Sequence, residues 1–224
     1  ELLGFEALVR WYHPARGLLA PGEFLSIIEN SPLFHELGLA LLAQATRQLV
    51  RWNRDRQQPL TVNVNFSATQ MLQRDFPAAV AQVLGRNHCP AHWVKVEITE
   101  TDLLSDVSQA QICLEQLQAL GVQVLIDDFG TGYSSLSYLH RFPVSGLKID
   151  RAFIRHLDSQ NRDHAIVHSI LLMASGLGLE VVAEGIETRA VAVLLANLGC
   201  RRGQGFLFDP PLDAEAASGW VARG

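Results

Sequence analysis

Val122-Gln123-Val124-Leu125-Ile126-Asp127-Asp128 is an apolar, largely β-branched run that stops on two adjacent carboxylates, with Phe129-Gly130-Thr131-Gly132 directly behind it. A strand covered by helices on both faces reads as a nearly continuous apolar run rather than an alternating one, so Val122–Asp127 is predicted as a strand of a parallel sheet. Just upstream, Ala110, Cys113, Leu114, Leu117 and Leu120 recur at spacings of three and four and draw one apolar stripe along a helix. Gly121 stands where a left-handed residue ends such a helix, and the strand begins at once.

The same unit repeats in both directions. Strands are predicted at Gly4–Val9, Leu60–Asn65, Trp93–Ile98, Gly146–Ile149, Leu179–Ala183 and Arg202–Phe206, which with Val122–Asp127 makes seven. Between them lie the stripes Gly38, Leu41, Leu42, Ala45, Leu49, Trp52 and Ile166, Ile170, Met173, Leu177, the second followed by Gly178. Strands alternating with helices build a parallel sheet wrapped by helices, so the fold class is α/β, and a barrel of such strands has room for its chemistry at one mouth. With 224 residues, 48% hydrophobic and 18% charged, and without repeat or linker, the chain reads as one globular domain.

Composition narrows the function. A formal charge of −5 gives no basic face for long nucleic acid, and an anionic ligand would need a local cation. The longest apolar runs are broken well before the roughly 20 residues of a membrane span, and the first residues lack the basic start of a signal peptide. Cys89, Cys113 and Cys200 fit neither a C-x-x-C site nor an even disulfide set, so reduced thiols in the cytoplasm are expected.

Polar residues interrupt nearly every strand. Glu6 lies in the first, Asn63 and Asn65 in the second, Glu97 in the third, Asp127-Asp128 at the end of the fourth, and Lys148 in the fifth. Glu184 follows the sixth and Gln204 lies in the seventh. In a parallel barrel such positions meet at the C-terminal mouth. Carboxylates gathered there repel one another unless a cation neutralises them. Oxygen donors without thiolate or histidine favour a hard ion, Mg²⁺ or Mn²⁺, and the adjacent pair Asp127-Asp128 suggests two ions. His164 and His168 stand four apart on a helix but lack the Glu of H-E-x-x-H, and Gly130-Thr131-Gly132 is not a phosphate loop.

These residues fall within motifs that resemble, in order, those of the EAL family of cyclic di-GMP phosphodiesterases. The motifs are Gly4-Phe5-Glu6-Ala7-Leu8-Val9-Arg10-Trp11, Asn65-Phe66-Ser67, Glu97-Ile98-Thr99-Glu100, Asp127 to Leu136, Leu147-Lys148-Ile149-Asp150, Ala183-Glu184-Gly185-Ile186-Glu187-Thr188 and Gln204-Gly205-Phe206. The resemblance implies a TIM-like (β/α)8 barrel whose first strand, carrying a Gln-Pro pair, lies before this chain begins. It also implies hydrolysis of one phosphodiester bond of cyclic di-GMP to linear pGpG. In that picture Glu6, Asn65, Glu97 and Asp127 hold one metal, and Asp127, Asp128 and Glu184 are at or near the second. Lys148 lies beside the scissile phosphate and the attacking water, Arg10 meets a substrate phosphate, and Gln204 helps to place the reacting groups. Glu100 and Glu187 stand behind the metal ligands, Glu100 restraining the loop from Phe129 to Ser135. Either Glu184 or a hydroxide bridging the metals takes the proton. Ca²⁺ is expected to inhibit.

The resemblance further implies a bacterial signalling protein, with a sensory or GGDEF domain linked upstream, room for a homodimer, and a cytoplasmic location, whether free or anchored to a membrane. Some members have lost metal ligands and only bind cyclic di-GMP, but here Glu6, Asp127, Asp128, Lys148 and Glu184 are all intact. An enolase-like metal-dependent barrel would share the carboxylates but not the order of motifs.

Overall fold

The computed structural model describes residues 1–29, 31–131, 139–158 and 161–223. Two compact units account for the chain, Glu1–Glu97 with Ser108–Gln123 and Asp213–Gly224, and Ile98–Val107 with Val124–Leu212.

In the first unit, β1 (Gly4–Ala7) is followed by a small antiparallel hairpin of β2 (Trp11–His13) and β3 (Gly17–Leu19), and then by β4 (Thr61–Asn65) and β5 (Val94–Thr99). β4 lies between β1 and β5, all parallel, with Glu6 opposite Asn63 and Asn65 opposite Glu97. The helix Pro32–Trp52 buries Phe34, Gly38, Leu42, Thr46 and Leu49, as its spacing requires. At Gly38 any β-carbon would sit 2.5 Å from Nε2 of the buried Gln70, which donates to Phe34 O at 2.7 Å, so a side chain there would have to displace that amide. Asn53 ends that helix and accounts for its own burial: Nδ2 donates to Leu60 O at 2.9 Å and Oδ1 accepts from Leu60 N at 2.8 Å.

In the second unit, β6 (Gln123–Phe129), β7 (Gly146–Ile149), β8 (Glu180–Ala183) and β9 (Arg202–Gly203) stand in that order, also parallel. The helix Asn161–Leu177 packs through Val167, Ile170 and Ala174, while Leu177 is 45% exposed. The buried stripe is therefore offset from the one read in the sequence.

Four helix ends share one hydrogen-bond pattern and each leads toward a strand. Gly121 N donates to Gln118 O and Val122 N to Leu117 O, and the same pair of bonds recurs at Gly178 and Gly199. All three glycines have positive φ, the closed ending that leaves no carbonyl stranded before β6, β8 and β9. The fourth, ahead of β5, places His88 at φ 52° in the glycine position, with His88 N on Gly85 O and Cys89 N on Leu84 O.

All seven predicted strands are present, with ends shifted by up to three residues, and the β2–β3 hairpin is an addition. The architecture is α/β, of the TIM-like (β/α)8 class, with seven parallel strands among the described residues. No helix among the described residues is long and apolar enough to cross a membrane.

Candidate metal centre

Period-two alternation explains which side chains of the second unit meet. Lys148 pairs with Val182 across β7 and β8, and Val182 with Arg202 across β8 and β9. Glu184 and Gln204 each lie two residues further along, so Lys148, Glu184 and Gln204 share one face. Their ladders continue past the strands, Glu184 N donating to Ile149 O at 3.1 Å and Gln204 N to Ala183 O at 2.8 Å.

On β6 that rule is broken to useful effect. Ile126 pairs with Leu147 and Phe129 with Ile149, so three steps on one strand face two on the other. The extra residue is a β-bulge, and Asp128 carries it at φ 52°, a left-handed conformation that Asp tolerates better than most side chains. Ile126 and Phe129 both stay buried, leaving Asp127 and Asp128 together on the other side, where a regular strand would send one of the two into the core.

The result is a lysine enclosed by acids. Lys148, 1% exposed, places Nζ 2.6 Å from Glu184 Oε1 and 3.3 Å from Asp127 Oδ1. Gln204 Nε2 donates to the same Glu184 Oε1 at 2.8 Å, and Asp127 Oδ1 accepts from Asp128 N at 3.0 Å. Asp128 is pushed up from 3.8 to about 6, first by burial, then by the charge of Asp127, then by a hydrogen bond and the charge of Asp150, with Lys148 opposing. Asp150 also caps the helix Arg151–Ile154, accepting from Ala152 N at 2.8 Å. Asp150 falls within the Leu147-Lys148-Ile149-Asp150 motif, but its residue type alone gives no sign of a part in the site.

Ligand atoms of Asp127, Asp128 and Glu184 all lie within 4.8 Å of one another, the one such group of His, Cys, Asp or Glu among the described residues. Three carboxylates sharing a single lysine, one of them drawn toward protonation, fit a hard divalent cation. Burial pushes the thiols of Cys89 and Cys113 up to about 11, which leaves no activated sulfur nucleophile at either.

Elsewhere in this unit Glu100, buried, stands one residue beyond β5, and Gly130 N donates to its Oε2 at 3.5 Å. The restraint expected of Glu100 concerns the loop from Phe129 to Ser135, of which residues 132–135, Gly132 among them, lie outside the described residues. Glu187 pairs with Arg155 at 3.3 Å, with both side chains about half exposed.

The first unit carries a second polar face. Glu6, Asn63, Asn65 and Glu97 fall on one side of β1, β4 and β5 by register. Asn65 Nδ2 donates to Glu6 Oε1 and Asn63 Nδ2 to Glu97 Oε1, both at 2.7 Å. Lys95, buried and in register with Asn63, shares that face and was not singled out in the sequence. Arg10 folds its guanidinium onto Val9 O at 2.8 Å.

Known proteins resemble the chain along nearly its whole length. Residues 1–211 match the profile described as "EAL domain". MucR of Pseudomonas aeruginosa, named a bifunctional diguanylate cyclase/cyclic di-GMP phosphodiesterase, is 42% identical over 222 residues, covering 99% of this chain and 32% of that protein. The solved structure "PaMucR Phosphodiesterase, c-di-GMP complex" is 41% identical with a TM-score of 0.92, covering 97% of this chain and 88% of that one. Klebsiella pneumoniae BlrP1, solved with manganese and cy-diGMP, is 30% identical with a TM-score of 0.80, covering 92% and 51%. The same protein has been solved with calcium. The chain spans about a third of the length of the curated relatives it matches, 35% and 32% in two cases.

Proposed function

Since the chain belongs to the EAL domain family, we propose that it hydrolyses one phosphodiester bond of cyclic di-GMP and releases linear pGpG, using Mg²⁺ or Mn²⁺. The observation that carries this reading is the buried Lys148 held between Asp127 and Glu184 beside a bulge that turns Asp128 to the same side. An ion-binding acidic cluster with a fixed cation is what an anionic diester requires, because its negative charge repels an attacking oxygen and its alkoxide leaves poorly.

Asp127, Asp128 and Glu184 would hold a divalent ion, whose chemistry is to neutralise phosphate charge and to acidify water. Lys148, stripped of solvent and fixed by two carboxylates, directs a positive charge at the phosphate or its water without reorganising. Glu184 accepts hydrogen bonds from Lys148 and Gln204, which orient it to take a proton from water. The water oxygen bonds to phosphorus as the bond to one ribose oxygen breaks, and the proton taken up by Glu184 is returned through solvent to that oxygen, which leaves as a hydroxyl. Gln204 positions Glu184, and Glu100 tethers Gly130. In the first unit Glu6, Asn65 and Glu97 would hold a further ion, and Arg10 would meet a phosphate of the substrate. Glu187 has a supporting part at most, given its exposed pair with Arg155. Ca²⁺ binds without supporting turnover.

Incubation with cyclic di-GMP and Mg²⁺, followed by chromatography, tests the reading. pGpG that disappears on adding a chelator is the expected result. Binding of cyclic di-GMP by calorimetry with no pGpG formed would make the chain a receptor instead.

A further inference from the structure

We infer that Asn63 is a positioning residue that sets the metal affinity of Glu97, acting from inside the first unit. The inference rests on Glu97 being a metal ligand as proposed above. Asn63 and Asn65 sit on the same face of β4 and each clamps one carboxylate from a neighbouring strand, Asn65 reaching Glu6 on β1 and Asn63 reaching Glu97 on β5. The Asn63 bond is 2.7 Å long, and Glu97 is 0% exposed, so water does not compete for that oxygen. A fully desolvated carboxylate depends on protein donors for its orientation, and the loss of one is felt strongly in a low-dielectric interior.

Asn63 is suited to the task by its register. It is the in-register partner of Glu6 on β1 and of Lys95, buried, on β5. A neutral amide there can donate to Glu97 without adding charge between an acid and an ammonium. An Asp at the same position would be isosteric but could only repel Glu97. The clamp removes rotamer freedom from a three-torsion side chain before any ion arrives, and hydrogen-bond partners of metal ligands commonly change metal affinity 10–100-fold.

Mn²⁺ titration by calorimetry is the test, on the wild type, Asn63→Ala, Asn63→Ser and Glu97→Gln. Asn63→Ala should bind Mn²⁺ on the order of tenfold more weakly, with pGpG formation recovering as Mn²⁺ is raised because Glu97 itself remains. Asn63→Ser keeps a donor on a small side chain, and should fall between wild type and alanine even if the alanine variant folds poorly. Unchanged Mn²⁺ affinity in both Asn63 variants, or a loss of turnover that saturating Mn²⁺ does not restore, overturns the inference. Unchanged Mn²⁺ affinity in Glu97→Gln would instead overturn the assignment of Glu97 as a ligand, so the two failures are distinguishable.

Discussion

Lys148 Nζ lies 2.6 Å from Glu184 Oε1 although the lysine is 1% exposed and the glutamate side chain 16%, so a close ion pair is held almost out of water. Such a pair is poor evidence of stability, because stripping water from both charges offsets much of their attraction. Its value is in fixing a cation. Lys148→Ala should lower kcat by about 10²-fold or more, the scale for removing one electrostatic group aimed at a transition state. Steady-state kinetics on Lys148→Met, which keeps most of the packing, separates charge from volume. A rise in KM alone would make Lys148 an ordinary binding residue.

Asp128 supplies a pH dependence with a definite sign. Its folded pKa, about 6, lies above the ordinary 3.8, so without metal the folded state holds the proton more tightly than the unfolded chain does. The stability this group contributes is therefore fully present below about pH 4 and is lost as pH rises through about 6. Thermal unfolding in chelator from pH 4 to 7 should show that decline in the wild type and a shallower one in Asp128→Asn. Metal binding should strengthen over the same interval, since the ion displaces the proton. Equal slopes in the two proteins would count against a raised Asp128.

The same substitution should remove cleavage while cyclic di-GMP binding remains measurable by calorimetry. Turnover at the wild-type rate in Asp128→Asn would show that the second carboxylate of the pair does not organise an ion.

Ca²⁺ should compete with Mg²⁺ and stop pGpG formation. It accepts more and looser oxygen ligands, so it can occupy the acids without holding the reacting oxygens in line. Full activity in Ca²⁺ alone would argue against strict positioning.

His88 offers a stability test remote from the chemistry. It sits exposed at φ 52° in a helix ending that the three other helices close with glycine. His88→Gly should stabilise by about 0.5–1 kcal/mol, the left-handed cost of a β-carbon less the added freedom of glycine in the unfolded chain. For a chain of this size that is a rise of roughly 1–4 °C in Tm with unchanged activity. A fall in Tm would show that the histidine ring contributes more than its backbone conformation costs.

Much of this was legible beforehand because the governing signals are local. Apolar runs such as Val124–Ile126 located the strands, and Gly121 and Gly178 marked helix ends, because a left-handed residue lets the chain turn there. His88 does the same work without the residue type that announces it. The β2–β3 hairpin escaped because each strand is three residues long, Trp11–His13 and Gly17–Leu19, too short for a pattern to declare itself. Its turn is made by His13 Nδ1, which accepts from Ala15 N and Arg16 N. Lys148, Glu184 and Gln204 could be singled out as polar residues in or beside apolar strands. Asp150 could not be tied to Asp128 in that way, because their hydrogen bond depends on a bulge that no residue type signals.

That bulge makes the number of residues in β6, and not only their identity, a determinant of chemistry. Removing a single residue between Ile126 and Phe129 would let the ladder with β7 run unbroken, a gain in regularity for the sheet. It would also put a single residue opposite Lys148 where two acids now stand. A chain that keeps both acids on this face can change many side chains around them, yet gaining or losing a residue at this one point would shift the acids themselves. A gap in an alignment here would therefore be as informative as a lost aspartate.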